Sequence, residues 1–286
     1  MKKIISVLFS ALAYAGSVSA QTPDVINFYM TPSVSIEKLK GSAGYIKDFL
    51  EKETGIKISV NIPASYDELV ERFGTPSPCF AMMSSQSYVM ANKKYGALVK
   101  LRTVRYGHSV YYGMIITSVA SGIKKLSDLN GKTIAYTDEL STSGYLYPKK
   151  LLESNGVKPS KEIFVQKHDE VVKLVYQGKV DAGAAFYSPP SAKGEIRDAR
   201  SKIKDKFPDV DKKVNVLKIT DPIPNDPIVF SKNFNSEMVN KLYYALIKLS
   251  TDAKGKQILL DLYGTEGFAR ASDTDYNTLR SVMASK

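Results

Sequence analysis

Ala135-Tyr136-Thr137-Asp138-Glu139-Leu140-Ser141-Thr142-Ser143-Gly144-Tyr145-Leu146-Tyr147-Pro148 is the segment around which the rest of the chain organises. A strand ends at its left, a short polar turn follows, and three consecutive hydroxyl residues with Gly144 stand where a helix begins. Ser141 suits the N-cap, because its hydroxyl can accept one of the first N–H groups, which have no partner inside a helix. The helix dipole adds partial positive charge at the same place. Ser141, Thr142 and Ser143, with the backbone N–H groups of Ser143 and Gly144, therefore make a candidate cradle for a tetrahedral anion. Gly144 would let a ligand approach the backbone. Two readings stay open here, an anion site and a plain helix cap. The first requires Asp138 and Glu139 to face solvent.

Outward from this segment, strand-like and helix-like stretches alternate, which assigns the α/β class. Before it come strands at Val25–Tyr29, Ile56–Ile62, Cys79–Met83, Leu98–Val104 and Val110–Thr117, with helices at Ile36–Glu53 (stopped by Gly55), Tyr66–Phe73 and Ser87–Tyr95. Leu126–Lys132 is a turn feeding strand Thr133–Tyr136, and the helix beginning near Thr142 runs to Ser154. After it the pattern predicts strand Ile163–Gln166, helix His168–Gln177, strand Val180–Phe186, an extended charged stretch Ser188–Lys206, and strand Val214–Ile219. Asp221–Pro227 holds three prolines and reads as neither helix nor central strand. Helices Met238–Ser250, Lys254–Tyr263 and Asp275–Met283 close the chain. The expected division is a signal segment 1–20, a first lobe of 21–108 with 222–286, and a second lobe of 109–221.

The 286 residues hold one Cys, two His and no Trp. A single cysteine excludes an internal disulfide framework and a multi-cysteine structural zinc site, so Cys79 is expected to be buried and inert. Met1-Lys2-Lys3, the apolar run Ile4–Ala15 and Val18-Ser19-Ala20 form an export signal with cleavage expected after Ala20, which places the mature chain in the periplasm. Net charge is +11, and +9 without Lys2 and Lys3. The bases are interspersed with acids, which favours a solvated face over a nucleic-acid stripe. Phosphate-loop, dinucleotide, nucleophile-elbow and zinc-protease motifs are absent. His168 beside Asp169 reads from spacing as a cap or surface residue, and His108 beside Gly107 as a structural residue at the lobe junction.

Taken together, several segments resemble the phosphate/phosphite/phosphonate-binding proteins of ABC importers. They are the export signal, Leu129-Asn130-Gly131-Lys132, the run from Tyr136 to Pro148, His168-Asp169, Gly178–Ala184, Ile223-Pro224-Asn225-Asp226-Pro227-Ile228-Val229 and Asp273-Thr274-Asp275-Tyr276. The resemblance implies a type II periplasmic-binding-protein fold, with two α/β lobes and a ligand cleft between them. It also implies oxyanion contacts from Ser141, Thr142, Ser143 and Gly144, and moves His168 into the site. Tyr88 and Tyr66, at first-lobe helix starts, are either ligand contacts or core. Asp226 matches a position that holds an amine in relatives binding aminoalkyl phosphonates, while Tyr187 stands roughly where a second acid would be. The implied function is capture of a phosphonate or related phosphorus oxyanion for an ABC permease and ATPase, by a monomer with no cofactor, metal or catalytic residue. Competing readings are a sulfonate or thiamine-precursor pyrimidine receptor, a sensor module, and an exported enzyme with Ser141 as nucleophile.

Overall fold

The computed structural model describes residues 25–33 and 35–284. The expected signal segment and its cleavage point lie outside these residues. Strand β1 (Ile26–Met30) leads into helix α1 (Ile36–Thr54), whose N-cap is Ser35 and whose C-cap Gly55 adopts the left-handed conformation (φ 71°) that ends it. Strand β2 (Ile58–Asn61), helix α2 (Tyr66–Glu71), strand β3 (Cys79–Met82), helix α3 (Ser85–Tyr95) and strand β4 (Leu98–Val104) follow. Ser65 and Ser84 cap α2 and α3 by accepting from the N–H groups of Glu68 and Ser87.

The chain then crosses to a second sheet through a tight turn at Arg105–His108. Tyr106 (φ 51°) and Gly107 (φ 75°) both take positive φ there, as a primed hairpin turn requires. The second sheet contains β5 (Val110–Ser118), β6 (Thr133–Tyr136), β7 (Lys161–Phe164), β8 (Ala182–Tyr187) and β9 (Val214–Pro224) in the order β7-β6-β8-β5-β9. It carries α4 (Tyr147–Ser154), α5 (His168–Tyr176) and the short α6 (Val210–Lys213). Asn225 and Asp226 return the chain to the first sheet, where β10 (Pro227–Phe230), α7 (Ser236–Thr251), α8 (Ala253–Tyr263), β11 (Gly267–Arg270) and α9 (Asn277–Ala284) complete the fold. That sheet has the order β11-β4-β10-β3-β1-β2, with β1 parallel to β2 and β3 and the returning β10 antiparallel to β3 and β4.

Each lobe is therefore an α/β unit, and two backbone segments join them. Asn225 ties the two crossings to each other. Its N–H donates to the Ser109 carbonyl (3.1 Å), and its amide to those of Thr103 and His108 (2.8 Å each). The first-lobe core is built on the stacked rings of Phe28, Phe80 and Phe230, one from each of three adjacent strands.

Several expectations shift. The prolines of Asp221–Pro224 lie within β9, an edge strand where the missing N–H is tolerated, and Pro227 opens the central β10 as its first residue. Strand β11 has no periodic signature in its four residues and forms because β4 offers a free edge. The helix expected over Thr142–Ser154 begins with one π turn, Thr142–Leu146, before α4. Cys79 is buried, and desolvation pushes its thiol up to about 12, which keeps it protonated and unreactive. His108 is exposed, and only its backbone serves the junction, accepting from Arg105 and Asn225.

Candidate functional site

The helix starts of both lobes converge on one cavity. Its wall is made by Thr31, Tyr66, Ser84, Arg105, Tyr111, Ser141, Ser143, His168, Asp226 and Tyr263, with Met82, Met83, Phe186 and Leu262 supplying apolar surface, and its volume is about 40 Å³. Thr31, Met82 and Met83 lie at or just beyond the C-terminal ends of the parallel strands β1 and β3, where α/β folds collect their ligand sites.

Ser141 is the N-cap of the π turn, and its Oγ accepts from the Gly144 N–H (3.1 Å). That bond uses the Gly144 amide, so Gly144 supports the wall from behind and is not exposed to a ligand. A Cβ at Gly144 would lie 2.0 Å from Thr137 Oγ1, so close packing against the end of β6 is what demands glycine here. Thr142 is also turned away from the cavity: its Oγ1 accepts from the Gln86 N–H at the start of α3 (2.9 Å). This bond runs from one lobe to the other.

Asp138 is half-buried rather than solvated. Its carboxylate accepts from the Leu140 N–H (2.9 Å) and from the Tyr66 N–H of the opposite lobe (3.4 Å), and burial raises its pKa. Its charge is directed to backbone amides and away from the cavity, while Glu139 is exposed.

His168 opens α5 in a wall position, edge-on to Phe186. Two residues earlier, Gln166 adopts a positive φ (64°), a strained turn just ahead of a wall residue. The His168 Nδ1 accepts from the Phe186 N–H (3.2 Å), which places the ring proton on Nε2. Burial, together with the Arg105 and Lys202 charges, lowers the imidazole pKa to about 3. His168 is thus a neutral N–H donor. The phenols of Tyr66, Tyr111 and Tyr263 have pKa values raised by burial above the usual value and stay as O–H groups.

Arg105 is the cation of the cavity, and the sequence pattern does not single it out, since the bases as a group read as a solvated face. It is 6% exposed, pairs with Asp226, and lies 4.6 Å from the centroid of the Tyr111 ring. Tyr111 donates to Asp226 Oδ1 (3.1 Å). The signal that could have found Arg105 is its neighbour Gly107, which marks the crossing between lobes.

Besides Thr142 and Gly144, two further expected contacts fall elsewhere. Tyr88 sits a full turn into α3, its ring packed edge-on to Tyr276 and its hydroxyl on Asp273, inside the first-lobe core. Tyr187 lines a separate groove with Asp198, Arg200 and Leu217.

The lobes are closed on each other. Ser84 Oγ donates to the Leu140 carbonyl (2.7 Å), Gln86 Nε2 to that of Glu139 (3.0 Å), and the His168 N–H to that of Ser33 (3.3 Å). At the far side Lys38 reaches the Lys202 carbonyl (3.1 Å) and Lys202 the Asp261 carbonyl (2.6 Å). Among the described residues no His, Cys, Asp and Glu side chains cluster to hold a metal, and no helix is long and apolar enough to cross a membrane.

A family model described as "ABC transporter, phosphonate, periplasmic substrate-binding protein" matches residues 28–276. The chain is 29% identical over 202 residues to the phosphate-import protein PhnD of Mycolicibacterium smegmatis, a match that spans 63% of this chain and 62%, less than two thirds, of that relative. It is 24% identical over 269 residues to the phosphonates-binding periplasmic protein of Escherichia coli, covering 91% of this chain and 76% of the relative. Among solved structures, PhnD1 of Prochlorococcus marinus in complex with methylphosphonate superposes with a TM-score of 0.76 at 19% identity, over 91% of this chain and 97% of that one. The likeness shows the two-lobe fold of type II periplasmic binding proteins.

Proposed function

The chain belongs to the family of periplasmic substrate-binding proteins of phosphonate ABC transporters, and from that membership we propose that it captures a phosphonate or related phosphorus oxyanion in the cavity between its lobes. One observation carries this reading. Ser141 and Ser143 at a helix start of one lobe, His168 of the same lobe, and Tyr66 of the other meet at a single space of about 40 Å³. Hydroxyls, a neutral imidazole and one guanidinium are donors, and donors to an anion form short, charge-assisted hydrogen bonds. The space accommodates a small tetrahedral group.

Capture fits this geometry better than catalysis. The lone pair of His168 Nδ1 is taken by the Phe186 N–H, and the other ring nitrogen carries a proton. The imidazole therefore has no free base to offer Ser141, as a serine nucleophile would need. Closure instead brings groups from both lobes to the ligand at once, and the closed pair presents the surface that a permease with its ATPase would recognise. Export by the signal segment, cleavage after Ala20, a boundary of the lobes near residues 108 and 222, and a monomeric state complete the proposal.

A thermal-shift panel of phosphate, phosphite, methylphosphonate, 2-aminoethylphosphonate, sulfate and an alkyl sulfonate tests it. A ligand at about 100 times its dissociation constant adds about 2.7 kcal/mol of stability. The expected result is stabilisation by at least one phosphorus oxyanion and none by sulfate. Stabilisation by the sulfonate alone, or by nothing in the panel, would sink the proposal.

A further inference from the structure

Asp226 is a carboxylate in the wall of a cavity whose other polar side chains can all donate. Left open, it would repel an anion or recruit a cationic group on the ligand. Neither oxygen is open. Oδ2 takes the Arg105 guanidinium and Oδ1 accepts from the Tyr111 hydroxyl. Arg105 in turn has a buried Nε–H with no hydrogen-bond partner, on a residue that lines the cavity.

We infer that Arg105 determines specificity: by occupying Asp226 it makes the pocket select small phosphorus oxyanions without an amine over aminoalkyl phosphonates. The inference rests on the reading of the cavity as a phosphorus-oxyanion site and deepens it. Charge is the first reason. The guanidinium cancels the carboxylate, so a ligand ammonium would find no free acceptor and would stand beside a fixed cation. A buried charge without a partner is strongly disfavoured. The cation itself is the second, because a guanidinium in the cavity wall is complementary in charge to an anionic ligand. Size is the third. A space of about 40 Å³ holds a few water-sized groups, which suits phosphite, phosphate or methylphosphonate and leaves little room for an aminoethyl arm.

The test is calorimetric titration of the exported chain with methylphosphonate, phosphite, phosphate and 2-aminoethylphosphonate. The expected outcome is that the tightest amine-free oxyanion binds at least tenfold more tightly than 2-aminoethylphosphonate. Equal or tighter binding of the amine-bearing ligand overturns this inference and leaves the capture function standing. Binding of none of the four overturns both.

Variants separate the role of Arg105 from its part in folding. Arg105→Gln alone strands a buried carboxylate, so the informative protein carries Arg105→Gln with Asp226→Asn, which removes both charges together. With its circular dichroism spectrum retained, this double variant is expected to lose at least tenfold in oxyanion affinity and to narrow the gap to 2-aminoethylphosphonate. Unchanged affinity and an unchanged gap in that folded variant would overturn the assignment.

Discussion

Arg105 and Asp226 stand on the two separate segments that cross between the lobes, and their guanidinium–carboxylate contact joins those segments at the wall of the cavity. The same two segments are tied from behind by Asn225, through its bonds to Ser109, Thr103 and His108. A tie between the crossings and a charge in the cavity wall are thus one structure. Removing one member of such a buried pair costs about 3–5 kcal/mol, so the pair bears both on how the crossings are held and on the charge of the cavity wall. Burial raises the Asp226 pKa and the adjacent guanidinium opposes that shift.

Thr142 links closure to affinity. Its Oγ1 accepts from Gln86 across the lobes, so Thr142→Val keeps the shape and leaves a buried N–H unpaired only when the lobes close. The expected outcome is a loss of about tenfold in ligand affinity, from an orphaned donor worth about 1–3 kcal/mol. The melting temperature of the ligand-free protein should stay close to that of the parent. Calorimetry and thermal unfolding on the same preparation check the two halves.

His168 makes stability depend on pH. In the folded protein its pKa is about 3, lowered first by burial and then by the charges of Arg105 and Lys202, whereas the unfolded residue titrates near 6.5. Its contribution is therefore complete above about pH 6.5 and is lost as pH falls towards 3, because only the unfolded chain takes up the proton in that window. His168→Gln removes this dependence. The stability advantage of the parent over the variant should shrink on acidification by up to about 1.4 kcal/mol per pH unit, as measured by urea unfolding from pH 7 to pH 4. A pH-independent difference would contradict the neutral, buried imidazole.

Tyr88 belongs to the core of the first lobe. Tyr88→Phe deletes its hydrogen bond to Asp273 but keeps the packing on Tyr276. Stability should fall by about 1 kcal/mol, with ligand affinity unchanged within a factor of two. A selective loss of affinity at constant stability would return Tyr88 to the site.

What nearest neighbours along the chain decide is legible in the residues themselves. Ser141 caps because a short hydroxyl before an unpaired N–H group has little else to do, and alternating apolar patterns placed most strands and helices within a few residues. Side-chain direction and distant partners, by contrast, belong to the assembled fold. Tyr66 and Tyr88 both stand near helix starts in similar local surroundings. Tyr66 opens α2 and faces the cavity, whereas Tyr88 lies a turn along α3 and points at α9 and its approach. Thr142 and Gly144 share one motif with Ser141 and Ser143, yet packing against Gln86 and Thr137 turns them out of the wall. Arg105 and Asp226 are 121 residues apart, and nothing in either neighbourhood states that they meet. Their contact exists because two crossing strands end side by side, and that proximity is a property of the folded sheets alone.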